Sequence, residues 1–162
     1  MAGFVHTTAH GQLSIAATST INLMDARWRC LNLKAVESVA IRGSSLIRPT
    51  APGRLSRARY LAELVVGLEM IVNGSASDSS GTATSGNVIA QLATNTRALR
   101  TLTTPPSSTP NVGWVATYTA GDGVAKTANV FVQNFQAQPD MSAGGRIDRV
   151  TFDLVIPAGT WT

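Results

Sequence analysis

The sequence predicts a mainly-β fold with one α-helix: an antiparallel β-sandwich or barrel carrying a single packed helix around residues 86–102. Three observations carry this. Apolar and polar residues alternate over 112–119, 124–138 and 146–156, the period of strands with one buried face. The turn signal Ala120-Gly-Asp-Gly123 joins the first two of these runs as a hairpin. One stretch, 86–102, has the helical period, and the segments around it read as strand and turn.

Residues 1–24 contain no Lys, Arg, Asp or Glu, and their apolar positions Leu13, Ile15, Ile21 and Leu23 alternate weakly. They read as an ordered strand or as an arm that docks on a neighbour. Residues 1–20 are taken as an arm ordered on assembly, and 21–162 as one domain. Residues 25–33 form a second short strand with Trp28, Cys30 and Leu33 inward, and Val36–Ile41 a third. Pro49, Pro52 and Gly53 argue against a regular element from Gly43 to Arg59. A loop of that length is usually functional or interfacial.

Residues 60–73 fit either period, but their β-branched residues, the central Gly67 and the Asn73-Gly74 ending favour a strand. Leu64, Val66, Leu68 and Met70 then share one face, opposite Glu63, Val65, Gly67, Glu69 and Ile71. In the helix, Ser85 is the expected N-cap. Val88, Leu92, Leu99 and Leu102, with Ile89 and Ala93 beside them, form its apolar stripe. Arg97 and Arg100 near its C-terminus complement the dipole, and Thr104-Pro-Pro106 ends it. After a Pro/Ser/Thr linker, the strands present Trp114, Ala116 and Tyr118, then Val130, Val132 and Phe135, then Ile147, Val150, Phe152, Leu154 and Ile156 to the core, until Pro157 stops the last.

At 162 residues the chain suits one domain with an adequate core. Charged residues make up only 14%, low for a free monomer, which fits a surface partly covered by neighbours. The net charge of +4 is uneven. Residues 27–59 carry Arg27, Arg29, Lys34, Arg42, Arg48, Arg54, Arg57 and Arg59 against Glu37, or 8 − 1 = +7, leaving 5 − 8 = −3 elsewhere. Arginine suits planar pairing with carboxylates or phosphates at interfaces, although an arginine-rich codon usage accounts for the bias equally well. The single cysteine, Cys30, excludes a disulfide within the chain and a multi-cysteine zinc site. There is neither an apolar run long enough to span a bilayer, about 18 residues, nor a secretory signal at the N-terminus.

The motifs that suggest chemistry have plainer readings. Gly81-Thr-Ala-Thr-Ser-Gly86 has phosphate-loop spacing, but Asn87 and Val88 stand where Lys and Ser or Thr are required. Gly121-Asp-Gly123-Val-Ala-Lys126-Thr127 runs into a strand, so no helix N-terminus meets a phosphate there. His6 and His10 lack both a helix to align them and a third ligand. No Gly-x-Ser-x-Gly elbow exists, and Cys30 lies in an apolar strand as an inert thiol does. No catalytic residue, cofactor or metal is expected, and the protein is read as a non-enzyme. The arginine-rich region could bind DNA, but it has only Trp28 and Tyr60 as interleaved aromatics and no DNA- or RNA-binding signature. A solvated or subunit-facing surface is the preferred reading.

The order of these elements resembles tail proteins of long-tailed bacteriophages. The resemblance lies in the Trp-bearing strand Ala26–Leu33, Val39-Ala-Ile-Arg-Gly43, the loop Leu46-Ile-Arg-Pro-Thr-Ala-Pro-Gly-Arg-Leu55, the apolar strand ending at Gly74, the helix ending Asn95-Thr-Arg-Ala-Leu-Arg100, and the terminal strand Arg149–Gly159. It spans residues 25–160 and is a pattern of elements. Tail-tube, distal-tail and tail-terminator proteins are similar in architecture and assemble as hexameric rings. The resemblance therefore implies a homo-oligomeric, hexameric virion protein made in the bacterial cytoplasm. It would contact neighbouring tail proteins, and DNA would pass through the lumen without specific binding. Arg48, Pro49, Pro52, Gly53, Arg54, Arg57 and Arg59 are the expected intersubunit loop. Tube lumens are often acidic and this chain is net basic, so tube and distal ring both stay open, with a terminator or head–tail connector beside them. A small basic nucleic-acid-binding module is the reading from a different class.

Overall fold

The structure, a computed structural model, describes residues 12–16, 20–23, 25–34, 41–42, 45–47, 54–56, 60–106, 112–119 and 123–162. Before the helix come strands β1 (Gln12–Ala16), β2 (Thr20–Asn22), β3 (Trp28–Lys34), β4 (Ile41–Arg42), β5 (Ser45–Ile47), β6 (Arg54–Ser56), β7 (Tyr60–Leu61) and β8 (Leu64–Asn73). Helix α1 (Val88–Arg100) and a 3-10 turn (Thr101–Thr103) follow, then β9 (Trp114–Thr119), β10 (Ala125–Pro139) and β11 (Ile147–Ile156). Seven strands form one antiparallel sheet in the order β2-β1-β9-β10-β11-β8-β3. The sheet curls into a half-barrel with α1 packed on it, so the expected mainly-β fold with one helix is found.

The curl follows from β10, which is fifteen residues long and serves two partners in turn. Its first part, 125–130, pairs with β9, and its remainder, 131–139, with β11. A bulge between Gln133 and Gln136 sets Asn134 and Phe135 against the single residue Phe152. Asn134 takes the left-handed conformation, φ 54°, which Asn tolerates, and its amide donates to Asp153 Oδ2 at 2.7 Å. Such bulges bend a strand, and here the bend keeps Phe135 stacked on Phe152, centroids 6.0 Å apart. Past the end of β11, Trp161 and Thr162 return to the same edge of β10. Thr162 exchanges backbone hydrogen bonds of 2.6 and 2.9 Å with Thr127, while the Trp161 ring packs 5.7 Å from Tyr118.

Alternation makes β8 a strand rather than a helix. Leu64, Val66, Leu68, Met70 and Val72 are all buried, and the residues between them face out. Val150, Phe152, Leu154 and Ile156 of β11 complete the same layer, whereas Ile147, expected inward, is only half-buried. Leu13 and Ile15 of β1 are fully buried, so within the segment expected to be an arm residues 12–16 are a strand of this sheet, between β2 and β9.

The helix begins two residues later than its sequence suggests. Asn87, not Ser85, caps it: its side-chain oxygen accepts from the Ile89 and Ala90 amides at 2.9 and 3.3 Å. Leu92, Leu99 and Leu102 are buried as expected, but Ile89 is 61% exposed and Ala93 is exposed too. Val88 is the residue of the first turn that meets the end of β8, which rotates Ile89 about 100° away from the sheet. Between the leucines two polar residues are buried. The Asn95 amide donates to the Asn73 and Ala76 carbonyls at 2.7 and 3.0 Å and its oxygen accepts from Gln91. The Thr96 hydroxyl donates to Asp148 at 2.6 Å. Asn95 thus ties the helix to the β8 exit. Asn95→Ala is expected to cost about 2–4 kcal/mol, because two carbonyls lose their donors, and denaturant unfolding measures it as a lower midpoint.

The small-residue loop after β8 is an ordered miniature hairpin, with Ala76 bridged to Ala83 and the Asp78 carboxylate accepting from the Ser80 and Thr82 amides. Hydrogen bonding, first from the Thr82 side chain and then from its amide, holds Asp78 below its usual 3.8, and hydrogen bonds from Ser142 and then Arg149 do the same for Asp140. A carboxylate with a depressed folded pKa contributes stability above its unfolded pKa and loses it as pH falls. Acidification below about 3.8 should therefore lower the melting temperature, and the drop should be smaller in an Asp78→Asn/Asp140→Asn variant.

Candidate intersubunit surface

Sequence reading makes residues 43–59 a loop, whereas the structure places strands inside them. Ile41 stands opposite Leu61 and Arg42 opposite Tyr60; further out, Ser45 stands opposite Ser56, Leu46 opposite Leu55 and Ile47 opposite Arg54. The two ladders form two separate two-stranded sheets among the described residues. In the sequence Pro49, Pro52 and Gly53 fall between β5 and β6, so prolines that argued against any strand are compatible with strands on either side. Among the described residues, neither ladder joins the seven-stranded sheet.

Of the residues expected at the interface, Arg54 is the first residue of β6. Arg48, Pro49, Pro52, Gly53, Arg57 and Arg59 lie outside the described residues, as do His6 and His10. The sequence from 41 to 61 carries Arg42, Arg48, Arg54, Arg57 and Arg59 and no acid.

The face of the sheet away from the core is graded in rows. Phe131, Val155 and Val65 form one, and Gln133, Asp153, Gly67 and Lys34 the next. Then come Gln136, Thr151, Glu69 and Asn32, followed by Gln138, Arg149, Ile71 and Arg29. A depression of ≈ 240 Å³ opens over the two middle rows, lined by Lys34, Glu69, Asn134, Gln136, Thr151 and Asp153, with Gly67 on its floor. A side chain at Gly67 would stand only 3.5 Å from Asp153 and 3.7 Å from the Lys34 stem, so the glycine keeps the hollow open. The sequence shows Gly67 as a break in a strand; the cross-strand neighbours that make it a floor follow only from register.

The remaining reactive groups are quiet. Cys30 is half-buried, its thiol directed at the Asn32 carbonyl; burial, and then the Glu69 charge, raise its pKa, and a protonated thiol is a poor nucleophile. Arg27 is held by Asp25 at 2.7 Å and lies 4.2 Å above the Trp28 ring, and Arg149 pairs with Asp140 at 3.1 Å. Among the described residues, no three His, Cys, Asp or Glu side chains gather as a metal site, and no helix is long and apolar enough to cross a membrane.

A curled sheet with one helix laid on it can be compared with known folds. The chain is similar to a phage protein, the Dit protein of phage SPP1, described as a hub of the adsorption apparatus in phages infecting Gram-positive bacteria, with TM-score 0.57 and 11% identity over 92% of this chain. The fold is similar to that of a phage tail hub. The baseplate of phage p2, in its activated conformation with strontium, contains a chain matching at TM-score 0.56 and 8% identity over 93% of this one. The chain spans about half the length of each, covering 50% and 45% of them. No protein-family model and no curated protein matches the sequence.

Proposed function

We propose that this protein is a structural subunit of a bacteriophage tail, of the distal-tail hub type, and that copies of it close into a ring around the DNA channel. The observation that carries the reading is the likeness of nearly the whole described chain to the SPP1 Dit hub. The likeness to hub and baseplate proteins favours the distal ring over the tube. The role is geometric: among the described residues the sheet ends at β2 and β3, and a closed ring pairs or covers such edges, which are otherwise prone to pair with others of their kind. The site residues Arg48, Pro49, Pro52, Gly53, Arg54, Arg57 and Arg59 then serve as contacts between subunits, in the virion tail. A ring of six is the expected order.

Negative-stain imaging at high protein concentration tests this. Rings with a central opening are expected. Monomers that instead retard labelled duplex DNA at low salt, with retardation lost steeply as salt rises, would favour a nucleic-acid-binding module.

A further inference from the structure

Asn73-Gly74, where β8 ends, is the only Asn-Gly pair in the sequence. In such a pair the backbone nitrogen after Asn can attack the side-chain amide carbon, and glycine puts no side chain in its way. The new nitrogen–carbon bond closes a five-membered succinimide. The side-chain nitrogen leaves as ammonia, taking up the proton that the backbone nitrogen gives up. Water then opens one or other carbonyl of the ring, giving aspartate or isoaspartate. Nothing is oxidised or reduced, and water is the only co-reactant.

The fold arms this bond on one side and locks it on the other. The Ser75 amide donates to Asn73 Oδ1 at 2.8 Å. That hydrogen bond fixes the side chain and draws electron density from the carbon to be attacked. Three locks oppose the attack. Asn73 is a strand residue opposite Ile147, and ring closure requires its backbone to rotate out of the extended conformation. The Gly74 N–H donates to the Arg146 carbonyl at 3.3 Å, so the nitrogen must give up that bond before it can lose its proton. Helix α1 covers the pair: Gly74 is buried, and a β-carbon on it would lie 2.2 Å from the Val88 carbonyl oxygen. The Asn95 amide fastens this cover, donating to the Asn73 and Ala76 carbonyls at 2.7 and 3.0 Å.

We propose that Asn73 is a latent modification site: seated α1 keeps it as asparagine, and lifting of the helix from the sheet exposes it to conversion into aspartate and isoaspartate. Isoaspartate routes the chain through the side chain, adding one backbone carbon and a negative charge beside the helix seat. The change therefore records an opening of the helix and is not undone when the chain refolds.

Ammonia release and peptide mass spectrometry at mildly alkaline pH test this on the full chain, folded and in concentrated urea. The folded chain is expected to convert at Asn73 at least about tenfold more slowly, because only its open fraction reacts. Asn95→Ala, shown by circular dichroism to be folded, should raise the folded rate at least about fivefold, since the helix loses both hydrogen bonds to the β8 exit. Leu13→Ala, on a strand four places from β8 in the sheet, weakens the fold elsewhere and should raise it less. One rate for the folded and unfolded chains would overturn the proposal. So would equal acceleration by the two variants, which would make global unfolding the exposing event. If Asn95→Ala does not fold, amide exchange in the unaltered chain decides in its place. Conversion should then rise with temperature in step with exchange of the α1 amides, and conversion in step with the β10 amides alone would overturn the proposal.

Discussion

Gly74→Ala is expected to lower the melting temperature by about 6–12 °C. A β-carbon at this position would lie 2.2 Å from the Val88 carbonyl oxygen and 2.9 Å from the Leu92 β-carbon. The first contact is with helix backbone, which no side-chain rotation relieves, so α1 must move off the sheet as a unit. Leu92, Leu99 and the Asn95 hydrogen bonds to Asn73 and Ala76 all depend on that seat. Overpacking of this kind costs about 1–3 kcal/mol, occasionally more, and the clash places this site at the upper end. At about 2–4 °C per kcal/mol for a domain of this size, the shift follows. Calorimetry checks it against Gly67→Ala, where the nearest atoms are 3.5 Å or more away and the strand should tolerate a methyl group. Equal losses at the two glycines would mean that helix–sheet contact is not what Gly74 protects.

Trp28→Ala should be at least as damaging, about 3–5 kcal/mol by the usual cost of emptying a buried aromatic site. Trp28 is 1% exposed, stands opposite Val72 and is roofed by the Arg27 guanidinium at 4.2 Å. It sits on β3, which among the described residues is the terminal strand of the sheet, paired with β8. The loss should therefore be local first, with amide exchange along residues 28–34 speeding up ahead of global unfolding. Trp28→Phe, keeping most of the apolar volume, should recover more than half of the loss. Uniform exchange across the whole sheet would show instead that Trp28 serves the central core.

The strands that alternate, β8 throughout and β10 and β11 over part of their length, were legible because one face is buried and one is not. Val150 illustrates the limit. Three residues from Ile147 where strict alternation needs an even step, it is fully buried with Phe152, Leu154 and Ile156, and Ile147 is the residue that breaks the pattern. The helix was legible in its leucines but not in its start, since Ser85 and Asn87 are both competent caps and only the position of β8 selects Asn87. Asn95 and Thr96 were invisible as structural residues because their partners are backbone carbonyls and Asp148, 52 residues away in the latter case. The two short ladders before β8 were missed for a different reason. They are two and three residues long, too short for a period, and they flank the strongest breaker signal in the chain, Pro49 to Gly53. The outer-face hollow joins Lys34, Glu69, Asn134 and Asp153 from four strands, and only the register brings them together.

Light scattering after size exclusion tests self-assembly into a closed ring. A discrete species of about six times 16.9 kDa is expected at high concentration, with no species growing without limit. A strict 16.9 kDa monomer at every concentration and salt would contradict it.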